Sequence, residues 1–280
     1  MINFRYHVVS IIGIFIALAV GVVLGAGPLQ RTINTGMNPS SSAASSDPAL
    51  SAQADAEAAG LKALASSTLT GSLSGSKIAL VVLPGASEDD VSAIRSTLTD
   101  AGASVVGRVS LTDNWQSTSM SQYRATLSTS LASHLESAAA KTASADGVVG
   151  YSIVQVLTST GSETDLLRQI LTDKSTPLMT IDEDPAGTAT TLVAVGPRAQ
   201  TGATDTSVSP SPDAWSGLAL AVGSTSGVLV GDASSRDAMI SKVRSSATQV
   251  TTVDSVGTTL ACVSTALALS QKSVGAHAYG

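Results

Sequence analysis

The pattern of hydrophobic and polar positions begins with one long apolar run, at residues 8–27. This run has 20 residues and no charged side chain, and Ser10 is its only polar residue. A helix of that length rises about 30 Å, which matches the hydrocarbon core of a bilayer. No later segment is comparable, so residues 1–30 are predicted to form a transmembrane anchor.

Two interpretations of this segment compete. A cleaved signal peptide has a basic start, an apolar core of about 7–15 residues and a cleavage site between small residues. Here Arg5 precedes a longer run, and Pro28 follows the small residues at 25–27, which favours a retained single-pass anchor. Arg5 and Arg31 flank its two ends, so charge decides orientation only weakly. The Ser, Thr, Ala and Gly content of the remainder favours an external C-terminal domain.

Small residues recur at every fourth position of the anchor, at Ala17, Gly21 and Gly25. Such a stripe lets two transmembrane helices pack closely, although glycine and alanine are also common in spanning helices generally. The next segment, residues 31–76, reads as a Ser/Ala-rich linker and a helical stem. Its helix at 49–69 is predicted to be a lone helix or a short parallel coiled coil. Self-association is therefore expected through the anchor and the stem.

Beyond residue 76 the pattern changes to short apolar runs that alternate with helical stripes. Strands are predicted at 77–83, 104–111, 147–156, 177–181, 192–195, 227–230 and 250–256. Helices are predicted at 87–101, 122–141, 163–172, 213–222, 234–247 and 258–270. Buried strands that alternate with amphipathic helices predict an α/β domain over 77–272, with a mostly parallel sheet covered by helices on both faces. A polar tail follows at 273–280.

Composition and motifs exclude several classes of function. The formal net charge is −6, from 15 basic and 21 acidic residues without a basic run, which argues against nucleic-acid binding. Two segments, 71–75 and 223–227, have glycine at both ends, as a nucleophile elbow does. Their central residues are Leu73 and Thr225, where the elbow needs serine. There is no P-loop and no Gly-x-Gly-x-x-Gly after a strand. The chain is therefore predicted not to be an enzyme, with no catalytic residue and no bound cofactor.

Three strand ends carry polar clusters, and each has two interpretations. The carboxylates at 88–90 suit either a ligand site beyond the strand end or the positive end of a helix dipole. Those at 182–184 suit either a hard cation or an ordinary acidic turn before Pro185. The segment 231–236 suits either an anion cradle at a helix start or an N-cap at Asp232 or Ser234. The single cysteine, Cys262, is expected to be a packed small residue rather than a metal or redox centre, and no disulfide within the chain is available.

The two ends of the chain resemble a known family. The motif FRYHVVS at residues 4–10 runs into AVGVVLGAGPL, TVDSV stands at 252–256, and the 275–280 tail ends in Tyr-Gly. In these motifs, and in its layout of anchor, stem and α/β domain, the chain resembles the actinobacterial copper transport family MctB. That resemblance implies a role in copper efflux and homeostasis, with copper as a transported ion, and a location in the cell envelope or outer membrane.

The residues themselves supply no copper site. Copper(I) favours clustered cysteine, methionine or histidine, whereas this chain has one cysteine and five scattered methionines. No metal ligand of the family can be assigned to a numbered residue, and an assembly or a partner is expected to complete any copper pathway. The alternatives are a non-catalytic envelope scaffold on a dimerising stem, which binds other envelope proteins, and a ligand-binding enzyme that uses the strand ends near Asp182 and Asp232.

Overall fold

The computed structural model of the chain describes residues 48–199, 209–246, 248–271 and 276–280. The predicted anchor, with Ala17, Gly21 and Gly25, lies outside these residues, as do residues 31–47 of the predicted linker and residues 273–275 of the tail. The chain divides after Ala52, and the second unit, Gln53–Gly280, is compact and contains the sheet. Among the described residues, no helix combines the length and the apolar character that a membrane crossing requires.

Helices and strands alternate through the second unit. In chain order the described elements are α1 (Pro48–Leu69), β1 (Lys77–Val82), α2 (Glu88–Asp100), β2 (Ser104–Leu111), α3 (Asp113–Gln116), a 3-10 turn (Thr118–Met120), α4 (Ser121–His134), α5 (Ala138–Lys141), α6 (Ala145–Thr158), α7 (Ser162–Leu171), β3 (Met179–Glu183), β4 (Thr191–Val195), α8 (Pro212–Gly223), β5 (Val228–Val230), α9 (Met239–Ser245), β6 (Thr251–Val253), α10 (Thr259–Gln271) and β7 (Ala278–Tyr279).

The strands form one sheet in the order β3-β2-β1-β4-β5-β6-β7. All neighbouring pairs are parallel except β2 and β3. In β1, Val81 lies opposite Val109 on one side and Ala194 on the other. From β1 the chain adds β2 and β3 on one side, and then places β4 on the other side of β1. The point where the strand order reverses therefore lies between β1 and β4, the usual ligand position in open α/β sheets.

The sheet is covered on both faces, which explains the continuous apolar run of β1. Ala79 and Val81 belong to one buried cluster, whereas Ile78, Leu80 and Val82 belong to the cluster on the opposite face. All five are at most 5% exposed. A strand that is buried on both faces has no polar side to alternate with. The predicted fold class, a mostly parallel sheet covered by helices, is confirmed for this part of the chain.

The strand predicted at 147–156 is wrong, because this segment belongs to helix α6. The Ser144 hydroxyl accepts a hydrogen bond from the Gly147 amide and caps the first turn. Most of the helix is buried, including its polar residues Ser152 and Gln155, so its sequence shows no single apolar stripe. A continuous apolar run cannot by its periodicity distinguish a buried helix from a buried strand.

Other boundaries differ more modestly. The helix predicted at 122–141 is interrupted at Leu135, whose extended backbone (φ −75°, ψ 139°) separates α4 from α5. The strand predicted at 177–181 begins at Met179 and runs antiparallel at the edge of the sheet. The helix predicted at 49–69 is observed as α1, with Ala65 and Leu69 buried. Its role as a stem stays a prediction, as do the domain boundaries.

Helices α6 and α8 cross at a close distance because glycines face each other. A Cβ atom added to Gly150 would lie 2.5 Å from the Gly217 carbonyl oxygen. A Cβ on Gly217 would overlap the Asp146 carbonyl group and lie 2.7 Å from the Gly147 nitrogen. Both glycines are therefore required by packing rather than by backbone conformation.

Candidate functional site

An ion pair between a buried carboxylate and a half-exposed guanidinium joins the start of α2 to the loop after β4, at the reversal point of the sheet. Asp90, at the start of α2, is 3% exposed and accepts two hydrogen bonds from Arg198, which follows β4. The donors are Nε at 2.7 Å and Nη2 at 2.5 Å. Pro197 also packs against Gly85, in the turn after β1. A Cβ atom added to Gly85 would lie 3.4 Å from the Pro197 Cβ. In the first acidic cluster, Asp90 therefore connects the start of α2 to the loop that follows β4.

The second acidic cluster is neutralised by arginines. Each carboxylate at 182–184 pairs with a different arginine: Asp182 with Arg108 (3.2 Å), Glu183 with Arg95 (2.5 Å) and Asp184 with Arg168 (2.7 Å). Hydrogen bonds from Arg95 and Arg168 lower the pKa values of Glu183 and Asp184. These carboxylates are paired with protein cations, which argues against a hard-cation site. Asp182 and Glu183 belong to β3, so only Asp184 stands in the turn before Pro185.

Arg108 joins the first two acidic clusters, a connection that the sequence interpretation missed. Its Nη1 and Nη2 donate to the Glu88 carboxylate at 2.8 and 2.5 Å, while its Nε faces Asp182. The hydrogen bond from Arg108 lowers the pKa of Glu88. The available signal was a cation in the middle of the apolar strand at 104–111, where an unpaired charge is costly.

The third cluster forms a turn instead of a helix start. Asp232 accepts hydrogen bonds from the Ser234 amide (2.9 Å) and hydroxyl (3.0 Å), and Asp254 accepts one from the Ala233 amide (2.7 Å). Helix α9 begins only at Met239, and its N-cap is Ala238. Neither the anion cradle nor the N-cap predicted at Asp232 or Ser234 is therefore formed, because these side chains bond within the loop.

Cys262 lies in a cleft of about 290 Å³ between α1, α2 and α10. Burial raises the pKa of its thiol; a hydrogen bond with Thr97 acts in the opposite direction, and the charge of Asp90 raises it further. A neutral thiol is neither a strong nucleophile nor a good metal ligand. This environment fits the packed-residue interpretation.

Among the described residues, the thiol and the two buried methionines lie on opposite faces of the sheet. Cys262 belongs to one buried face of the sheet, and Met179 and Met239 belong to the other. His134 pairs with Glu163, with Nδ1 2.5 Å from Oε2. Within the described ranges, no group of three or more His, Cys, Asp or Glu side chains is placed to hold a metal ion.

Comparison with known proteins supplies the family. The family model described as "Copper transport outer membrane protein, MctB" matches residues 1–280, which is the whole chain. The chain belongs to the MctB family. The resemblance inferred from the two ends of the sequence is thereby confirmed, and a relation to copper transport goes with it.

Curated MctB relatives match over a shorter segment. Proteins named "Copper transporter MctB" from Mycobacterium bovis and from two strains of Mycobacterium tuberculosis are each 31% identical to the chain over 123 residues. That segment covers 41% of this chain and 39% of each relative. The chain therefore spans about two-fifths of the length of the curated MctB proteins that it matches.

Proposed function

We propose that this chain is a membrane-anchored protein of the cell envelope that contributes to copper efflux and homeostasis as part of an assembly. The observation that carries the proposal is the MctB family match over the whole chain. The matched residues include the 20-residue apolar run at 8–27, which suits a single-pass anchor. The C-terminal α/β domain would then lie on the external side.

The side chains of the described domain support a role within an assembly. The acidic clusters are engaged by Arg95, Arg108, Arg168 and Arg198. Copper(I) prefers several soft ligands, and Cys262 lies in a cleft whose other lining residues are neither methionine nor histidine. Partners are therefore expected to supply the ligands along any copper pathway, with copper as a transported substrate.

Deletion and complementation test the copper role. Cells that lack the gene are expected to accumulate copper, measured by mass spectrometry of washed cells, and to grow poorly on copper. The full chain and the control variant Gly60→Ala should both restore wild-type copper content. Gly217→Leu should not, because the added side chain would disrupt the crossing of α6 and α8. Unchanged copper content in the deletion strain would refute the proposal.

Protease protection tests the topology separately. A tag at the C-terminus should be removed by protease added to spheroplasts without lysis, whereas a cytoplasmic marker protein should survive. A tag that becomes sensitive only after lysis would place the domain inside and contradict the proposed orientation.

A second candidate is an interaction module on a dimerising stem, which one feature of α1 favours. Leu50 and Leu64 are 60% and 65% exposed. They stand two heptads apart and within about 40° of each other around the helix, so they share one face. A second copy of α1 in parallel would cover both leucines.

Cysteine crosslinking in membranes distinguishes this candidate. In a Cys262→Ala background, Leu64→Cys should form a disulfide-linked dimer under mild oxidation. Ala59→Cys is the matched control, because it is exposed on the opposite side of the same helix. Equal crosslinking at the two positions, or none at Leu64→Cys, would count against a dimeric stem.

A further inference from the structure

A groove of about 800 Å³ opens at the edge of the sheet where the parallel strands begin, away from the Asp90–Arg198 pair that follows β1 and β4. Ile78, Thr191 and Thr251, from the starts of β1, β4 and β6, line it, as does Gly227, which precedes β5. Its volume lies in the range of small-molecule sites, about 300–1,000 Å³. None of the features discussed for the copper role lies in this groove.

Among the described residues that line the groove, the polar side chains are uncharged. They carry hydroxyl groups and one side-chain amide, chiefly those of Ser74, Ser76, Thr190, Thr225, Ser226 and Gln249. The Thr190 hydroxyl is already bonded to the backbone of Lys77, and that of Thr225 to the Val222 carbonyl. The side chains of Ser74, Ser76, Ser226 and Gln249 make no hydrogen bond to another described residue. These four groups therefore remain available to a ligand.

The floor of the groove is aliphatic. Ile78, Val250 and Leu269 close the groove from below and are almost fully buried, so the apolar surface that a ligand can reach is mainly that of Ala268 and Ala276. The groove thus combines an apolar surface with a rim of groups that both donate and accept hydrogen bonds. A sugar ring has the complementary form, with an apolar C–H face and hydroxyl groups around its edge.

We propose that this groove binds a neutral saccharide, as a segment of an uncharged glycan. A charged ligand would lose water without gaining a countercharge from the described lining, in which no side chain is ionised. A peptide that binds as an added strand needs a free sheet edge, whereas this groove crosses the starts of central strands. The proposal goes beyond the copper role, and its failure would leave that role untouched.

Backbone conformation offers a substitution that removes a rim hydroxyl without harming the fold. Ser226 has a φ of +52°, a region that favours glycine. Ser226→Gly should therefore fold at least as stably as the wild type while it loses one hydrogen-bonding group. Ser255→Gly is the matched control, because Ser255 has a φ of +61° and lies after β6 at the opposite edge.

Two further variants act on the groove in different ways. Gln249→Met removes the amide while it retains the length and the flexibility of the side chain. Ala268→Phe, on α10, fills the space above the aliphatic floor. Thermal unfolding of each variant verifies that the domain remains folded.

The experiment measures binding of maltotriose and of the N-acetylglucosamine trimer to the purified full chain, by saturation-transfer NMR and titration calorimetry. A polyoxyethylene detergent is used because it carries no sugar, and trigalacturonic acid is the charged comparison. At least one neutral trisaccharide should bind the wild type and Ser255→Gly equally. The double variant Ser226→Gly/Gln249→Met should weaken binding about fivefold or more, as expected for two lost hydrogen bonds, and Ala268→Phe should abolish it.

Three results would overturn the proposal. They are the absence of binding of either neutral trisaccharide to the wild type, equal binding by the double variant or by Ala268→Phe, and tighter binding of the charged trisaccharide. The double variant decides the matter even if Ala268→Phe unfolds, because Ser226→Gly relieves rather than adds backbone strain.

Discussion

Substitution of Gly217 by alanine is expected to destabilise the α/β domain, because helices α6 and α8 leave no space for a methyl group where they cross. The new Cβ would overlap the Asp146 carbonyl group and lie 2.7 Å from the Gly147 nitrogen. These are backbone atoms, so a change of side-chain rotamer cannot relieve the overlap. One helix must move away from the other.

The magnitude follows from two opposing terms. Overpacking of a close-packed interior costs about 1–3 kcal/mol, and the rigid backbone contact places Gly217→Ala near the upper value. Alanine in a helix interior gains about 1 kcal/mol over glycine. The expected net loss is about 2 kcal/mol of the free energy of unfolding, or about a 30-fold change in the folding equilibrium.

Urea unfolding of the full chain, followed by circular dichroism, measures this loss as a lower midpoint at unchanged slope. Gly60→Ala is the control, because Gly60 is exposed in α1 and nothing lies within 4 Å of its added Cβ. That variant should gain helix stability, by up to about 1 kcal/mol. If Gly217→Ala proved as stable as the wild type, the glycine contact would not be the reason for the close crossing.

Three further predictions concern charges and the thiol. Asp146→Ala should lower the free energy of unfolding by about 3–5 kcal/mol, measured by urea titration. The reason is that the guanidinium of Arg124, which is 0% exposed, would lose its carboxylate partner. A loss below about 1 kcal/mol would contradict this. The lowered pKa values of Glu183 and Asp184 contribute stability above their usual values of 4.5 and 3.8, and this contribution is lost as pH falls through the folded values. The double variant Glu183→Gln/Asp184→Asn should therefore lose less stability than the wild type between pH 7 and pH 3. The difference should be small and sensitive to salt, because both carboxylates are exposed. An unchanged loss would count against the ion pairs with Arg95 and Arg168. Burial and the raised pKa of Cys262 predict labelling by a thiol reagent at pH 8 at least about 10-fold slower in the folded chain than in urea, and equal rates would contradict the packed position.

Local sequence patterns predicted much of the fold because their causes lie between neighbouring residues. The apolar run of β1 and the stripe of α2 at Val91, Ile94 and Leu98 are fixed by burial over a few positions. The alternation of such segments is enough to predict a parallel sheet covered by helices. The end motifs likewise identified the family, although they indicated no copper ligand.

The sequence by itself therefore determined the class of the fold, its mostly parallel sheet and its family. The tertiary structure alone decided that 147–156 is a helix, since its buried surface has no periodicity, and that Gly217 of α8 packs against the backbone of the first turn of that helix. It also decided that Arg108 bridges Glu88 and Asp182, which are far apart in the chain. Such contacts depend on the order of the strands, which brings distant segments together and is not encoded in the residues on either side of each position.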